Sequence, residues 1–282
     1  MKKHLTKNML TEFRQHLIDD EKSSATLEKY MRDLKTFYLW LNNRKLEKSI
    51  VIAYKEYLIN NYQTTSVNSM LSSLNSFFVF NGWYALKVKT IKTQKQLFIP
   101  SEKELTKNEY ERLLRTAYNK KNKRLYYIMQ TICASGIRIS ELQFITVEAV
   151  KSKKAEVRCK GKNRTIILPD NLCKILSNYI KERHIKNGCI FITKNGTPVN
   201  RSNIWTDMKK LCDEAQVPHS KVFPHNLRHL FARTFYSQQK DIVRLADILG
   251  HSNMNTTRIY TIESGDIHRQ ILQKLDLVCS NK

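Results

Sequence analysis

The spacing of helix breakers constrains this chain most. All five prolines lie at or after Pro100, and the first 99 residues hold one glycine, Gly82. So long a stretch without breakers favours helices, because glycine and proline destabilise helix interiors most. The apolar spacing agrees. Leu27, Tyr30, Met31, Leu34, Phe37, Tyr38 and Leu41 recur along one helical face, with Ser24 as the expected N-cap. Ile50, Ala53, Tyr54, Tyr57 and Leu58 repeat the pattern, as do Val67, Met70, Leu71, Leu74, Phe77 and Phe78. With a shorter helix around Phe13 and Leu17, four helices are expected in an all-α domain over residues 1–93. The window Asn61–Phe80 carries no charge, and its polar face is expected to pack on DNA or another subunit.

Lys87–Gln96 is basic, lacks apolar periodicity and precedes Pro100. An interdomain linker is therefore expected, placed at residues 94–104. Thr106, with Glu109 three residues on, makes a capping box. It opens a second domain over residues 105–282, where Tyr110, Leu113, Leu114, Ala117 and Tyr118 give a buried stripe. There the pattern becomes mixed. Ala155–Cys159 and Arg164–Leu168 are short β-branched-rich runs around Lys160-Gly161-Lys162-Asn163, which reads as a hairpin. Cys189–Thr193 is expected to add a short strand. The fold class is mainly α, with a small β-hairpin or sheet inside a mixed α+β second domain.

The charge narrows the partners. The chain carries 49 Lys and Arg against 25 Asp and Glu, a net of +24, with 41% hydrophobic residues. A disordered basic tail would be poorer in apolar residues. A folded chain this basic expects a polyanion, nucleic acid before an anionic membrane surface. No apolar stretch approaches the ~20 residues of a membrane helix, and MKKHLTKNML has no apolar signal core. The six cysteines form no C-x-x-C pair and read as reduced thiols of a cytoplasmic protein. No metal or other cofactor is expected. His219, His225 and His229 lack a matching zinc ligand, and no Asp/Glu cluster is present to hold Mg²⁺.

Four separated clusters carry candidate chemistry. The first is Ser135-Gly136-Ile137-Arg138-Ile139-Ser140-Glu141-Leu142, where a glycine ends one helix and another starts nearby. Arg138 and Glu141 alone read as a surface i,i+3 pair. The second is Lys160-Gly161-Lys162 at the hairpin tip, in a window with seven basic residues and one acid between Lys151 and Arg164. It is either a solvated loop or a lysine delivered to a phosphate. The third is His225-x-x-Arg228-His229, sharing one helical face, with His229 the more ordinary packing histidine. The fourth is Leu249-Gly250-His251, followed by Tyr260. Two arginines, a lysine, two histidines and a tyrosine suit phosphoryl transfer at a DNA backbone. Fixed cations stabilise the charge that builds on the attacked phosphate. A phenol, with a free pKa near ~10, attacks only once cations or a base favour loss of its proton.

These clusters, in this order, resemble the tyrosine recombinases of the phage integrase family. The stretch Thr26-x-x-x-Tyr30-x-Arg32-Asp33-Leu34-x-x-Phe37 is similar to the family's core-binding domain, and Leu105-Thr106-x-x-Glu109 to the start of its catalytic domain. The resemblance implies a simple two-domain member, Xer-like or transposon-resolvase-like, bacterial or encoded by a mobile element and associated with the nucleoid. Tyr260 would attack the scissile phosphate, giving a 3′-phosphotyrosine and a free 5′-hydroxyl. Arg138 and Arg228 would clamp its non-bridging oxygens. Lys160 would be the general acid, His225 would assist proton transfer, His251 would hydrogen-bond the phosphate, and Glu141 would support its neighbours. Two such rounds through a Holliday junction would exchange duplexes carrying specific sites. The resemblance also implies a homotetramer joined by the tail stripe Ile267, Ile271, Leu272 and Leu275, with accessory proteins in some systems. A type IB topoisomerase, or a non-catalytic DNA-binding protein on the same scaffold, is the alternative. Ser135, Ile137, Cys159, Phe223, Leu230 and Arg233 depart from the usual pattern, with Arg233 expected to touch DNA or stand in solvent.

Overall fold

The computed structural model describes residues 4–92, 101–159, 162–193 and 195–260, together with Gln273. It divides into two compact units, residues 1–95 and 96–282. Each is described by itself. No helix among the described residues is long and apolar enough to cross a membrane.

The first unit is four helices: α1 (Lys7–Asp19), α2 (Ser24–Leu41), α3 (Lys48–Asn61) and α4 (Thr64–Phe80). Ser23, not Ser24, caps α2, its hydroxyl accepting from the Thr26 amide. Both serines suit the position, and the chain uses the earlier one. The core is the apolar stripes. Phe13, Phe37, Leu58, Phe77 and Phe78 are wholly buried, each contributing about 1.5–3 kcal/mol through burial. The Phe13 and Phe77 rings meet edge-on at 5.3 Å.

The uncharged face of α4 has an explanation within its own unit. Asn75 pairs with the backbone of Val88 through both its donor and its acceptor, at 2.8 and 3.0 Å. Asn68 does the same for Ile91, at 2.9 and 2.7 Å. Ser73 donates to the buried Asp33 carboxylate, which also holds Lys29. These neutral groups serve as backbone partners for an extended segment, so the first residues of the basic stretch after Lys87 pack onto the helices. Val88 is 7% exposed.

In the second unit, α5 (Lys107–Asn119) starts at the expected capping box, with both reciprocal bonds formed. Then follow α6 (Lys123–Ser135), α7 (Val147–Ser152), an antiparallel pair β1 (Lys154–Cys159) and β2 (Lys162–Ile167), and α8 (Asp170–Glu182). Next come α9 (Arg201–Lys209), α10 (Cys212–Ala215), α11 (Pro224–Gln239), α12 (Ile242–Leu249) and α13 (Met254–Thr257). The strands extend closer to the turn than the sequence suggests. Cys159 pairs with Lys162, so two residues close the hairpin, not four. Cys189–Thr193 forms no strand. It makes only two isolated bridges, Thr146 to Cys189 and Ile192 to Pro198. The fold is mainly helical with one small two-stranded sheet, as expected. Cys133, Cys173, Cys189 and Cys212 are free thiols. His219 pairs with Asp213 at 2.9 Å.

Candidate active site

The site is built where three helix ends meet. Gly136 ends α6 in the left-handed conformation, φ +64, which glycine adopts without steric cost. A Cβ there would lie 2.4 Å from the Phe231 ring on α11. The turn buries Ile137 completely and starts a 3₁₀ segment, Ile139–Phe144, with Arg138 at its head. The Glu141 carboxylate accepts from the Arg138 backbone N–H at 2.7 Å and from its Nη1 at 3.1 Å. The surface pair expected from sequence is therefore half wrong. Arg138 is accessible, but Glu141 is 4% exposed and also accepts from Arg164 Nη2 at 2.5 Å. The α6 turn drives Glu141 inward, where a lone carboxylate would be costly and two guanidiniums compensate.

Helix α11 carries His225, Arg228 and His229. Arg228 is 1% exposed. Its Nη1 donates to the Gly136 carbonyl at 2.6 Å, and its Nη2 donates to the Leu249 carbonyl at 2.8 Å and to His251 Nε2 at 2.9 Å. Three arginines thus meet three consecutive carbonyls at the end of α12. Arg164 Nη1 reaches Ile248 at 3.1 Å, Arg228 reaches Leu249, and Arg138 Nη2 reaches Gly250 at 3.3 Å. The last carbonyls of a helix lack intrahelical donors and carry partial negative charge. The helix end therefore gathers cations that would otherwise repel one another. Gly250, at φ +63, is part of the device, since a Cβ would lie 2.6 Å from Arg164 Cδ and Nη1. Gly250→Ala is expected to cost about 1–2 kcal/mol from left-handed strain alone and to dislodge Arg164. A urea titration reads the first effect.

His251 has a defined protonation. Arginine has no acceptor, so Nε2 accepts from Arg228, and the ring proton sits on Nδ1, donating to Thr257 Oγ1 at 2.9 Å. Burial, then Arg228 and Arg138, push His251 down to about 4. Burial, then His225 and Arg228, do the same to His229, also to about 4. His225 stands open to solvent at its edge, yet desolvation and then Arg228, Arg201 and Arg138 lower it too. His229 and His251 are neutral at pH 7, and His225 is biased the same way. The unfolded chain, with histidines near ~6.5, binds more protons than the folded one below that pH. The stabilisation is whole above ~6.5 and is lost as pH falls toward about 4. The melting temperature is expected to fall across that window, with a shallower slope in His229→Phe. Equal slopes would rule out His229 as a source.

Tyr260 closes the group from a 3₁₀ turn, Arg258–Tyr260. It is 3% exposed and packs with Ala232, Leu245 and Leu249. His229 meets its ring edge-on at 4.8 Å, and His225 meets His229 at 4.5 Å. The His251 ring lies parallel to Tyr260 at 6.1 Å. Burial, then Arg138, lower Arg228 to about 10, and interaction with the Tyr260 hydroxyl opposes that fall. Arg138, Glu141, His225, Arg228, His251 and Tyr260 thus come together from distant parts of the sequence. Lys160, and the tail stripe from Ile267 to Leu275, lie outside the described residues.

A cleft of about 670 Å³ opens over Arg138, His225 and Arg228, walled by Arg201, Trp205 and Lys209 of α9. Sequence reading missed this wall and Arg164. The signals were present. Ile204 and Met208 of α9 are buried, and Arg201 and Trp205 stand exposed at the edge of that stripe. Arg164 is in phase with the inward Ile166 and Leu168. Arg233 is half-buried and paired within its own unit. It forms an ion pair with Glu104 and donates to the Leu105 carbonyl, because its position on α11 faces the start of this unit.

Residues 103–265 match the phage integrase family, and residues 10–83 match the phage integrase N-terminal SAM-like domain. Among curated relatives, tyrosine recombinase XerA of Pyrococcus horikoshii is 27% identical over 280 residues, covering 96% of this chain and 94% of the relative. Tyrosine recombinase XerD of Oceanobacillus iheyensis is 26% identical over 265 residues, covering 85% and 88%. A crystal structure of a lambda integrase dimer bound to a COC′ core site matches with a TM-score of 0.74 at 17% identity, covering 93% of this chain and 97% of that one. The chain belongs to the phage integrase family, and its fold is the two-domain tyrosine recombinase fold.

Proposed function

We propose that this chain is a site-specific DNA recombinase that breaks and rejoins double-stranded DNA through a 3′-phosphotyrosine. The observation that carries the reading is the meeting of two clamp arginines, Arg138 and Arg228, at one cleft, with the buried Tyr260 hydroxyl interacting with Arg228. The XerA and XerD relatives bear the name tyrosine recombinase, and the lambda integrase structure holds a core site. In the proposed reaction the Tyr260 oxygen bonds to phosphorus while the bond to the 5′-oxygen breaks. His225, whose shift favours the neutral ring, accepts the phenolic proton, and Lys160 gives a proton to the departing oxygen. Arg138 and Arg228 neutralise the two non-bridging oxygens. His251 holds Arg228 in the free protein, and its bond to phosphate requires the ring proton to move to Nε2. Glu141 holds Arg138. A second strand's 5′-hydroxyl reverses the step, and two rounds pass through a Holliday junction.

The proposed arrangement uses residues 1–93 and 105–282 as two DNA-holding lobes joined by 94–104. A homotetramer assembles on paired sites through the tail stripe, alone or with accessory proteins, in the bacterial cytoplasm. Deletion of residues 265–282 is expected to abolish tetramers in sedimentation with target DNA, and intact tetramers would exclude the tail. The test of the function is a nicked suicide duplex carrying the target site. A detergent-stable protein–DNA adduct, with a free 5′-hydroxyl on the released strand, is expected. A 5′-phosphotyrosyl product, or no adduct on any natural flanking site, would overturn the reading. With charge spread over both lobes, affinity is expected to fall steeply with salt, each neutralised phosphate adding about 0.9 to the log–log slope.

A further inference from the structure

Resting on the proposed cleavage reaction, we propose that Arg164 is a positioning residue that fixes the Arg138 clamp through Glu141. Arg164 leaves the inward face of β2 and spans two other segments. One terminal nitrogen donates to Glu141 Oε2 at 2.5 Å and the other to the Ile248 carbonyl at 3.1 Å. Glu141 in turn holds both the backbone and the guanidinium of Arg138. Arg138 is the more exposed of the two, its side chain 40% exposed against 16% for Arg164. A long exposed side chain loses freedom when it grips a phosphate. Arg138 is spared part of that loss because its carboxylate partner is itself pinned from behind. Without Arg164, Glu141 keeps one cationic partner and loses its side-chain ties to β2 and to the Ile248 carbonyl. The bare Gly250, which leaves room for the Arg164 side chain, supports a specific seat for this residue.

Arg164 bonds Glu141 and the Ile248 carbonyl. It reaches the reaction through a residue that neutralises non-bridging oxygens. Its loss should therefore matter less when the phosphate carries less charge. The experiment uses the full chain on two suicide duplexes, one with the natural scissile phosphate and one with a neutral methylphosphonate there. Arg164→Met is expected to slow adduct formation on the phosphate by about 10- to 100-fold, the scale of a clamp misplaced by an ångström. On the methylphosphonate its deficit relative to wild type should shrink at least about fivefold, since less charge needs stabilising. Comparing two substrates in one protein cancels any partial unfolding. Arg164→Lys keeps the charge but cannot bridge Glu141 and Ile248, and should show an intermediate deficit with the same substrate dependence. Equal deficits on both substrates, or full activity of both variants, would overturn the proposal. Absence of any wild-type adduct would instead strike the cleavage reaction itself.

Discussion

Tyr260→Phe is expected to reduce covalent adduct with a nicked suicide duplex to background while leaving non-covalent DNA affinity within about twofold, because only one oxygen is removed. The ring stays seated. It packs against Ala232, Leu245 and Leu249, with His229 edge-on at 4.8 Å, and phenylalanine fills the same volume. The lost hydroxyl interacts with Arg228, so stability should change by about 0.5–1.5 kcal/mol at most, the net worth of one hydrogen bond. A mutation that blocks chemistry but not binding or folding is the signature of a nucleophile. The chain has 13 tyrosines, so an undiminished adduct in Tyr260→Phe, mapped to another tyrosine, would transfer the role elsewhere.

How much of this was legible follows from what each signal depends on. Helices α2, α4 and α5 were readable because apolar periodicity and a capping box are local. The hairpin was readable as a hairpin, but its turn length was not, since pairing of Cys159 with Lys162 is settled between strands. The cluster order of the motifs named the chemistry, and the reason Gly250 must be glycine was hidden. It depends on Arg164, 86 positions earlier in the numbering, passing beside it. The same holds for Glu141, whose burial comes from tertiary packing and not from its i,i+3 spacing to Arg138. The α4 surface was only partly legible because an uncharged helix face looks the same in sequence whether it meets DNA, a second subunit or, as Asn68 and Asn75 do, the chain's own extended segment. Asn68 and Asn75, seven residues apart and both paired with backbone, were the available hint.

Arg228→Lys carries the second large effect, and the argument is geometric. Arginine and lysine bear the same charge, but lysine has one nitrogen with three donors on a flexible stem. Arg228 uses two nitrogens to reach the end of α6 through Gly136, the end of α12 through Leu249, and His251 beyond it. One ammonium cannot meet acceptors that two separated nitrogens now serve. At least one buried carbonyl is left without a donor, which costs about 1–3 kcal/mol. The α6 and α12 ends then lose the tie that holds Arg138 and Arg164 over their own carbonyls. Cleavage is expected to fall by about 10²–10³-fold, as when a preorganised donor to a charged transition state is removed. The melting temperature should fall with it. Arg138→Lys should slow cleavage comparably but lower the melting temperature less, because Arg138 is the exposed member whose side chain is 40% accessible. If the two lysine variants melt alike, Arg228 is not the bridge between helix ends, and the clamp is assembled some other way.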